Sequence, residues 1–271
     1  MEATIVIPVW NDIRIKDCLE SIDEDVEVVV SLAPPTPGMK RFLERKGIEY
    51  CESSKGNLGK AYNKGIEASS KDKIILMDSD CVFQKDCIKK LISGLKGNLL
   101  CKGKIEFKHT NFFESLVAGV RSFLENGENA YSPPLALKKG LKNEVGGYIF
   151  DEKIKWVEDG ELNARCKKYK VEINHDPEAK VLHDSIGPFN YLKNTFRYGR
   201  GQRRGVLKGT LYGEENIKRD ILSKISSLFS PDSLNLIKEI SKEKGIFPMF
   251  YFLIWKLTFI YGYYYQALRG D

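Results

Sequence analysis

The sequence predicts an α/β fold: a sheet covered by helices on both faces, followed by a helical C-terminal third. Two patterns carry that prediction. Through the N-terminal half, short β-branched runs take turns with helical segments, and from about Ser185 onward the pattern is mainly helical. Strand and helix in alternation build right-handed βαβ units, and such units make a mostly parallel sheet. A chain of 271 residues that is 42% apolar can fill a true core, as one large domain or two small ones.

In chain order, TIVIPV (4–9) is the first strand and IRIKDCLESI (13–22) a helix. VEVVVSL (26–32) is the second strand, APPTPG (33–38) a rigid turn, and MKRFLERKG (39–47) a helix closed by Gly47. IEYCES (48–53) is a short third strand, NLGKAYNKGIEAS (57–69) a helix with a glycine-rich entry, and KIILM (73–77) the fourth strand. Beyond it LLCKGKIEF (99–107) is a strand and NFFESLVAGVRSFLEN (111–126) an amphipathic helix. LALKKGLKNEVGGY (135–148) holds a strand or loop, a short helix and a glycine pair. VEDGELNARCKKYK (157–170) is a helix, with a strand in KVEINHD (170–176) or its neighbour AKVLHD (179–184). Ligands of parallel sheets bind beyond the carboxyl ends of the strands. That rule lines up Pro8 to Asp12, Ser31 to Pro37 and Asp78 to Asp80 along one edge.

The fourth strand ends by crowding Asp78 and Asp80 together, one serine apart. Their repulsion is relieved where a divalent cation sits between them and an anionic ligand, since hard cations take carboxylates together with phosphates. Aspartates also start turns and cap helices, which is the plain alternative. Glu158 and Asp159 form a second acidic pair at a helix start. There they either complement the helix dipole or supply a general base. His183 ends a later strand, as a structural imidazole or as a metal ligand completing what Asp80 begins. In RYGRGQRRG, four arginines alternate with glycines. Guanidinium forks match phosphate oxygens, and glycines would let a loop close over a diphosphate.

Charge is uneven: residues 1–179 carry 28 Lys and Arg against 29 Asp and Glu, residues 180–271 carry 15 against 8. The basic C-terminal third suits phosphate, anionic lipid or nucleic acid, or is a solvated surface. No nucleic-acid motif and no regular aromatic interleaving accompany it, so nucleic acid is not expected as a partner. The six cysteines form no CxxC pair and no zinc-type spacing, which points to reduced thiols in the cytosol. A strand pattern starting at Ala3 leaves no room for a secretory leader.

Taken in order, these segments resemble family 2 of the glycosyltransferases over roughly residues 3–205. TIVIPVWND is similar to that family's first nucleotide-binding strand, KGNLGKAYNKGIEAS to its Asn-x-Gly helix and IILMDSDCV to its DxD strand. The ordered set Val-Gly-Gly, Glu-Asp, Leu and Arg on a helix, Asp-Pro-Glu and a terminal His is the most specific part. The resemblance implies the GT-A fold, a Rossmann-like mixed sheet flanked by helices with a helical C-terminal extension. It implies a catalytic domain over 1–205, with a nucleotide-sugar half (1–100) and an acceptor half (101–205), and an apolar, aromatic extension over 206–271.

It also implies roles. Asp159 would deprotonate the acceptor hydroxyl with Glu158 in support, and Asp80, His183 and Asp78 would hold Mn2+ or Mg2+. Pro8, Trp10, Asp12, Ser31, Lys60, Asn63, Asp78 and Ser79 would contact a UDP- or GDP-type sugar donor. Arg200, Arg203 and Arg204 would meet the departing diphosphate, and Gly146, Gly147 and Trp156 would shape the acceptor side. The family's processive members carry Gln-x-x-Arg-Trp, and QRRGV lacks both its spacing and its tryptophan, so transfer of a single sugar with inversion is implied. Strand two departs from the family pattern, ending in Ser31 with no carboxylate, which alters base and ribose recognition.

Residues 246–268 hold one charge, Lys256, among 23 positions. They suit a membrane-surface or partner-facing helix, helices packed on the catalytic domain, or a true span. The first option, with a saccharide or lipid-linked acceptor, places the protein in the cytoplasm, peripheral at the inner face of the membrane, or makes it a homo-oligomer. Two other classes stand beside the transferase: a catalytically silent nucleotide-sugar binder or scaffold, and a nucleotidyltransferase.

Overall fold

The computed structural model describes residues 2–211 and 231–269. Of the extension expected over 206–271, residues 212–230 and 270–271 lie outside the described residues. The chain divides into two compact units, one of residues 1–106 and 125–184, the other of 107–124 and 185–271.

In the first unit β1 (Ala3–Val9), α1 (Ile15–Glu20), β2 (Glu27–Leu32), α2 (Pro37–Lys46), β3 (Glu49–Glu52), α3 (Leu58–Ala68) and β4 (Lys73–Leu76) alternate. β1 pairs in parallel with β2 and β4, and β2 in parallel with β3. All seven residues of β1 are buried, as expected of a central strand with neighbours on both sides and helices on both faces. The parallel run ends there. β4 pairs antiparallel with β7 (Leu135–Lys138), and β7 antiparallel with β6 (Leu100–Lys108). β5 (Cys81–Phe83) pairs antiparallel with β8 (Asn174–Asp184). Among the described residues the sheet is eight-stranded, ordered β3-β2-β1-β4-β7-β6-β8-β5. It is the mixed sheet that the resemblance implies, and the mostly parallel arrangement is confined to its first four strands.

Local chemistry sets the helix ends. Thr36 caps α2 by accepting the Met39 N–H, with Pro37 next, and Gly47 closes the helix at φ +64°. Asn57 caps α3 through the Lys60 N–H at 2.8 Å. α3 lies close on β1 because Gly65 faces Val6: a Cβ there would stand 2.2 Å from Val6 Cγ1. The core beneath α3 joins Val6, Tyr62, Ile74, Leu76, Leu135, Leu137, Phe150 and Leu162.

Three details differ from the sequence reading. β5 and α4 (Cys87–Gly94) follow the acidic pair where no element was assigned. KVEINHD and AKVLHD are not alternatives, because β8 runs unbroken from Asn174, the fifth residue of the first, through the whole of the second to Asp184. α6 (Leu141–Glu144) and α7 (Glu158–Lys168) stand where expected.

The second unit is helical: α5 (Phe112–Glu125, to Leu124 within it), α8 (Pro188–Leu207), α9 (Pro231–Lys244) and α10 (Ile246–Arg269). Its core gathers Val117, Val120, Tyr191, Ile240, Tyr251 and Phe252. RYGRGQRRG is therefore not a loop but the middle of α8. Its glycines serve a helix crossing: a Cβ on Gly199 would stand 2.0 Å from the Phe259 carbonyl oxygen, and one on Gly262 2.2 Å from that of Phe196.

Candidate active site

The site in the first unit is built where the parallel strands stop. Ala33 N–H donates to the Val9 carbonyl and Met77 N–H to the Val6 carbonyl, so the segments after β1, β2 and β4 leave the sheet side by side. Asp12, Asp78 and Asp80 come from these exits. Asp12 is held by Arg14, whose Nε donates to both carboxylate oxygens at 3.0 and 3.1 Å. That hydrogen bond keeps the Asp12 carboxyl below its ordinary range, against the opposing effect of burial. Arg14 also reaches Asp80, 3.3 Å from Nη2 to Oδ2. It thereby ties the first exit to the third.

The two aspartates of the pair part company. Asp78 Oδ1 accepts the hydroxyl of Tyr62 at 2.7 Å, and Tyr62 is fully buried, stacked on Phe150 with centroids 5.4 Å apart. Asp80 turns instead toward His183, with Oδ1 3.8 Å from Nε2. In the β5–β8 ladder Cys81 lies directly opposite His183, so the two side chains share a face of the sheet. The ligand atoms of Asp80, Cys81 and His183 all fall within 4.8 Å of one another. His183 Nδ1 meets the Asp184 carbonyl at 2.6 Å. A carbonyl only accepts, so Nδ1 carries the proton and Nε2 presents its lone pair, the orientation that a metal-ligating imidazole needs. These donors fit a divalent cation.

The second acidic pair opens α7. Asp159 Oδ1 accepts the Gly160 N–H at 2.7 Å. Burial, then the nearby charge of Glu125, pushes its carboxyl above the usual range, while the Gly160 N–H and Lys102 oppose the rise. Glu158 is more enclosed. Its Oε2 has no hydrogen-bond partner, and burial together with the Asp159 and Asp78 charges raises its pKa strongly. Gly59 makes room for it, since a Cβ there would lie 3.2 Å from Glu158 Cβ.

Lys102, which the sequence reading did not single out, is fully buried on β6 and donates from Nζ to the Pro133 carbonyl at 2.8 Å. Burial pushes its ammonium down to about 8, while Glu125, Asp159 and Asp78 favour the charged form. Nothing in the sequence marks it, because β6 reads LCKGKIEFK with Lys104, Glu106 and Lys108 beside it, and only the fold buries Lys102.

The glycine pair is fixed from α7. Gly146 and Gly147 take φ +99° and +98°, which L side chains rarely adopt. Arg165 ties this turn down. Its guanidinium donates to the Val145, Tyr148 and Ile149 carbonyls and pairs with both oxygens of buried Glu161. Trp156, at φ +75°, stands half-exposed just before α7. Asn63 spends its amide on both backbone groups of Phe150, clipping α3 to the chain that follows the glycine turn.

Other expected contacts are dispersed. Trp10 is exposed beneath the ammonium of Lys55, 4.7 Å from its centroid, and Lys60 sits half-buried in the first turn of α3. Ser79 is buried between the two aspartates. Pro8 and Ser31 are paired neighbours within β1 and β2, with Ser31 wholly enclosed. Arg200, Arg203 and Arg204 belong to α8 in the second unit. Arg200 donates to Gln266 at 2.9 Å, and Arg203, 1% exposed, donates to the Tyr263 hydroxyl. The expected loop closing over a diphosphate is thus a packed helix.

The fold and this sheet edge define a GT-A-like α/β module. Residues 4–111 match the family model described as "Glycosyl transferase family 2". Among solved structures it is similar to S. aureus TarS, at 15% identity and TM-score 0.53, over 73% of this chain and 39% of that one. It is likewise similar to TarS 1–349 in complex with UDP-GlcNAc, at 15% identity and TM-score 0.52 over 73% and 66%. For the UDP complex the values are 16% and 0.52 over 73% and 64%. This chain therefore spans less than two thirds of those relatives' length. No curated protein matches.

Proposed function

We propose that the protein moves a single sugar from a nucleotide-diphosphate sugar to a hydroxyl acceptor, by direct displacement with inversion at the anomeric carbon. The observation carrying this reading is the division of labour among four carboxylates: Asp80 faces His183, Asp78 is capped by Tyr62, and Glu158 and Asp159 open α7 with raised pKa values. The TarS complexes with UDP-GlcNAc and UDP support a UDP-type donor.

Asp159 takes the acceptor proton on its carboxylate. A base with a raised pKa is better matched to a hydroxyl than an ordinary aspartate. The Gly160 N–H and the buried Lys102 ammonium keep it charged enough to work. Glu158, without a partner for Oε2, keeps its own proton and so adds no second negative charge beside the base. A divalent cation held by Asp80 and His183 would supply charge for the departing diphosphate. Gly146, Gly147 and Trp156 border the acceptor side, a saccharide or a lipid-linked one.

Asp159→Asn is expected to lower turnover about 10² to 10⁴-fold, the usual weight of a general base. The protein should stay folded with donor binding retained. Release of nucleoside diphosphate from a panel of nucleotide sugars measures it. Near-normal transfer by the variant would remove Asp159 from the role, and pyrophosphate as product would replace glycosyl with nucleotidyl transfer.

A further inference from the structure

The thiol of Cys81 is unexplained by sugar transfer. It is fully buried at the start of β5, in ladder register with His183, and its Sγ lies 3.8 Å from Asp80 Oδ1. Nε2 of His183 lies 3.8 Å from the same oxygen. Three ligands at the usual Zn–S, Zn–N and Zn–O lengths in a tetrahedron stand roughly 3.3 to 3.8 Å apart. The two spacings to Asp80 Oδ1 sit at the top of that range, and the thiol and imidazole, which lie within 4.8 Å of each other, would close by up to about an ångström on a bound ion. The imidazole tautomer is already set by the Asp184 carbonyl. One carboxylate, one thiol and one imidazole also leave a fourth position open, as catalytic rather than structural sites do.

We propose that Cys81 is a metal ligand, making this centre select a thiophilic divalent cation of the Zn2+ or Co2+ kind over Mg2+. The inference rests on the cation reading of the Asp80–His183 site given above and changes which ion belongs there. Mg2+ demands an octahedron of oxygens and keeps its waters, whereas thiolate is a soft ligand. On coordination the Cys81 S–H bond breaks, the electron pair stays on sulfur as the metal–sulfur bond forms, and the proton passes to solvent. No oxidant or reductant is involved. Sequence reading could not reach this, because the partner of Cys81 is set by a register with a strand a hundred residues away.

The test uses the full chain, freed of metal with a chelator and titrated with Co2+. Wild type should develop a near-ultraviolet thiolate-to-cobalt charge-transfer band together with the visible bands of four-coordinate cobalt, and Zn2+ should displace them. Cys81→Ser, and Cys81→Ala where serine disturbs the strand, should lose the charge-transfer band. Zn2+ binding by calorimetry should weaken at least about 10-fold, since even outer-shell partners of a metal ligand are worth about 10 to 100-fold. Mn2+ binding should change less than about 3-fold in the same variants. His183→Ala should lose the band while all six cysteines remain, which assigns it to this corner. Co2+ bound without the band, or a band that survives both Cys81→Ser and Cys81→Ala, overturns the role of Cys81 and leaves a cation on Asp80 and His183 intact. No binding of Co2+, Zn2+ or Mn2+ by wild type overturns the cation itself, and with it that part of the proposed function.

Discussion

Glu158 sits at the N-terminus of α7 with one carboxyl oxygen buried and unpartnered, an arrangement that stability alone would not favour. Its pKa is raised in the folded chain by burial and by the Asp159 and Asp78 charges. The folded state therefore holds a proton that the unfolded state has released above about pH 4.3. Stability then falls as pH climbs from that value toward the folded pKa, by at most about 1.4 kcal/mol per pH unit for one proton. Glu158→Gln removes this dependence. The variant should match wild type near pH 4 and become progressively the more stable of the two as pH rises. Urea unfolding at several pH values measures the divergence, and parallel curves would show that Glu158 is ordinary. At this scale the sequence was partly legible. Asp80, His183 and Asp159 stood out as candidates because their residue types and order are unusual. Tyr62, Arg14, Cys81 and Lys102 were not, because each is an unremarkable residue until the tertiary fold brings it to a carboxylate.

Among elements, strands with a β-branched run and helices with caps were readable because both signals are local. α3 carries Asn57 at its cap and Gly65 where β1 must approach, and both are visible in the sequence. β5 is three residues long, too short for any periodicity to register. α8 failed for a different reason: glycine disfavours helix when read alone, and only the crossing with α10 repays it. Gly199→Ala tests that account. The added Cβ would stand 2.0 Å from a backbone oxygen that has no rotamer to move. A cost of about 1 to 3 kcal/mol is expected from overpacking, despite alanine's better helix propensity. Gly38→Ala in α2, with nothing within 4 Å, should be neutral or slightly stabilising. Denaturant unfolding of the two variants decides, and equal stability would mean that α8 and α10 can part without penalty.

For the whole chain, the open question is what meets the outer face of α10. Pro248, Tyr251, Phe252, Gly262, Tyr263 and Gln266 face inward, while Phe247, Phe250, Ile254, Leu257, Tyr261 and Leu268 are each at least half exposed. Those six recur at three, four and seven residues, so they form one continuous stripe. Phe112 extends it, with its ring 5.5 Å from Phe247. Among the described residues α10 is the helix long and apolar enough to cross a membrane, but a helix with one face packed against protein and the other apolar suits the plane of a lipid interface. Residues 180–271 add 15 basic against 8 acidic side chains, and each cation near an anionic leaflet contributes about 1 kcal/mol. The protein is therefore expected to sediment with vesicles containing anionic phospholipid and much less with phosphatidylcholine alone. Added salt should weaken retention without abolishing it, because the aromatic stripe is not screened. Leu257→Glu, at the centre of the stripe and exposed in the free protein, should leave folding intact and release the protein from vesicles. If wild type ignores both vesicle types and Leu257→Glu instead converts a dimer to a monomer by light scattering, the stripe is covered by a second copy and the acceptor need not be lipid-linked.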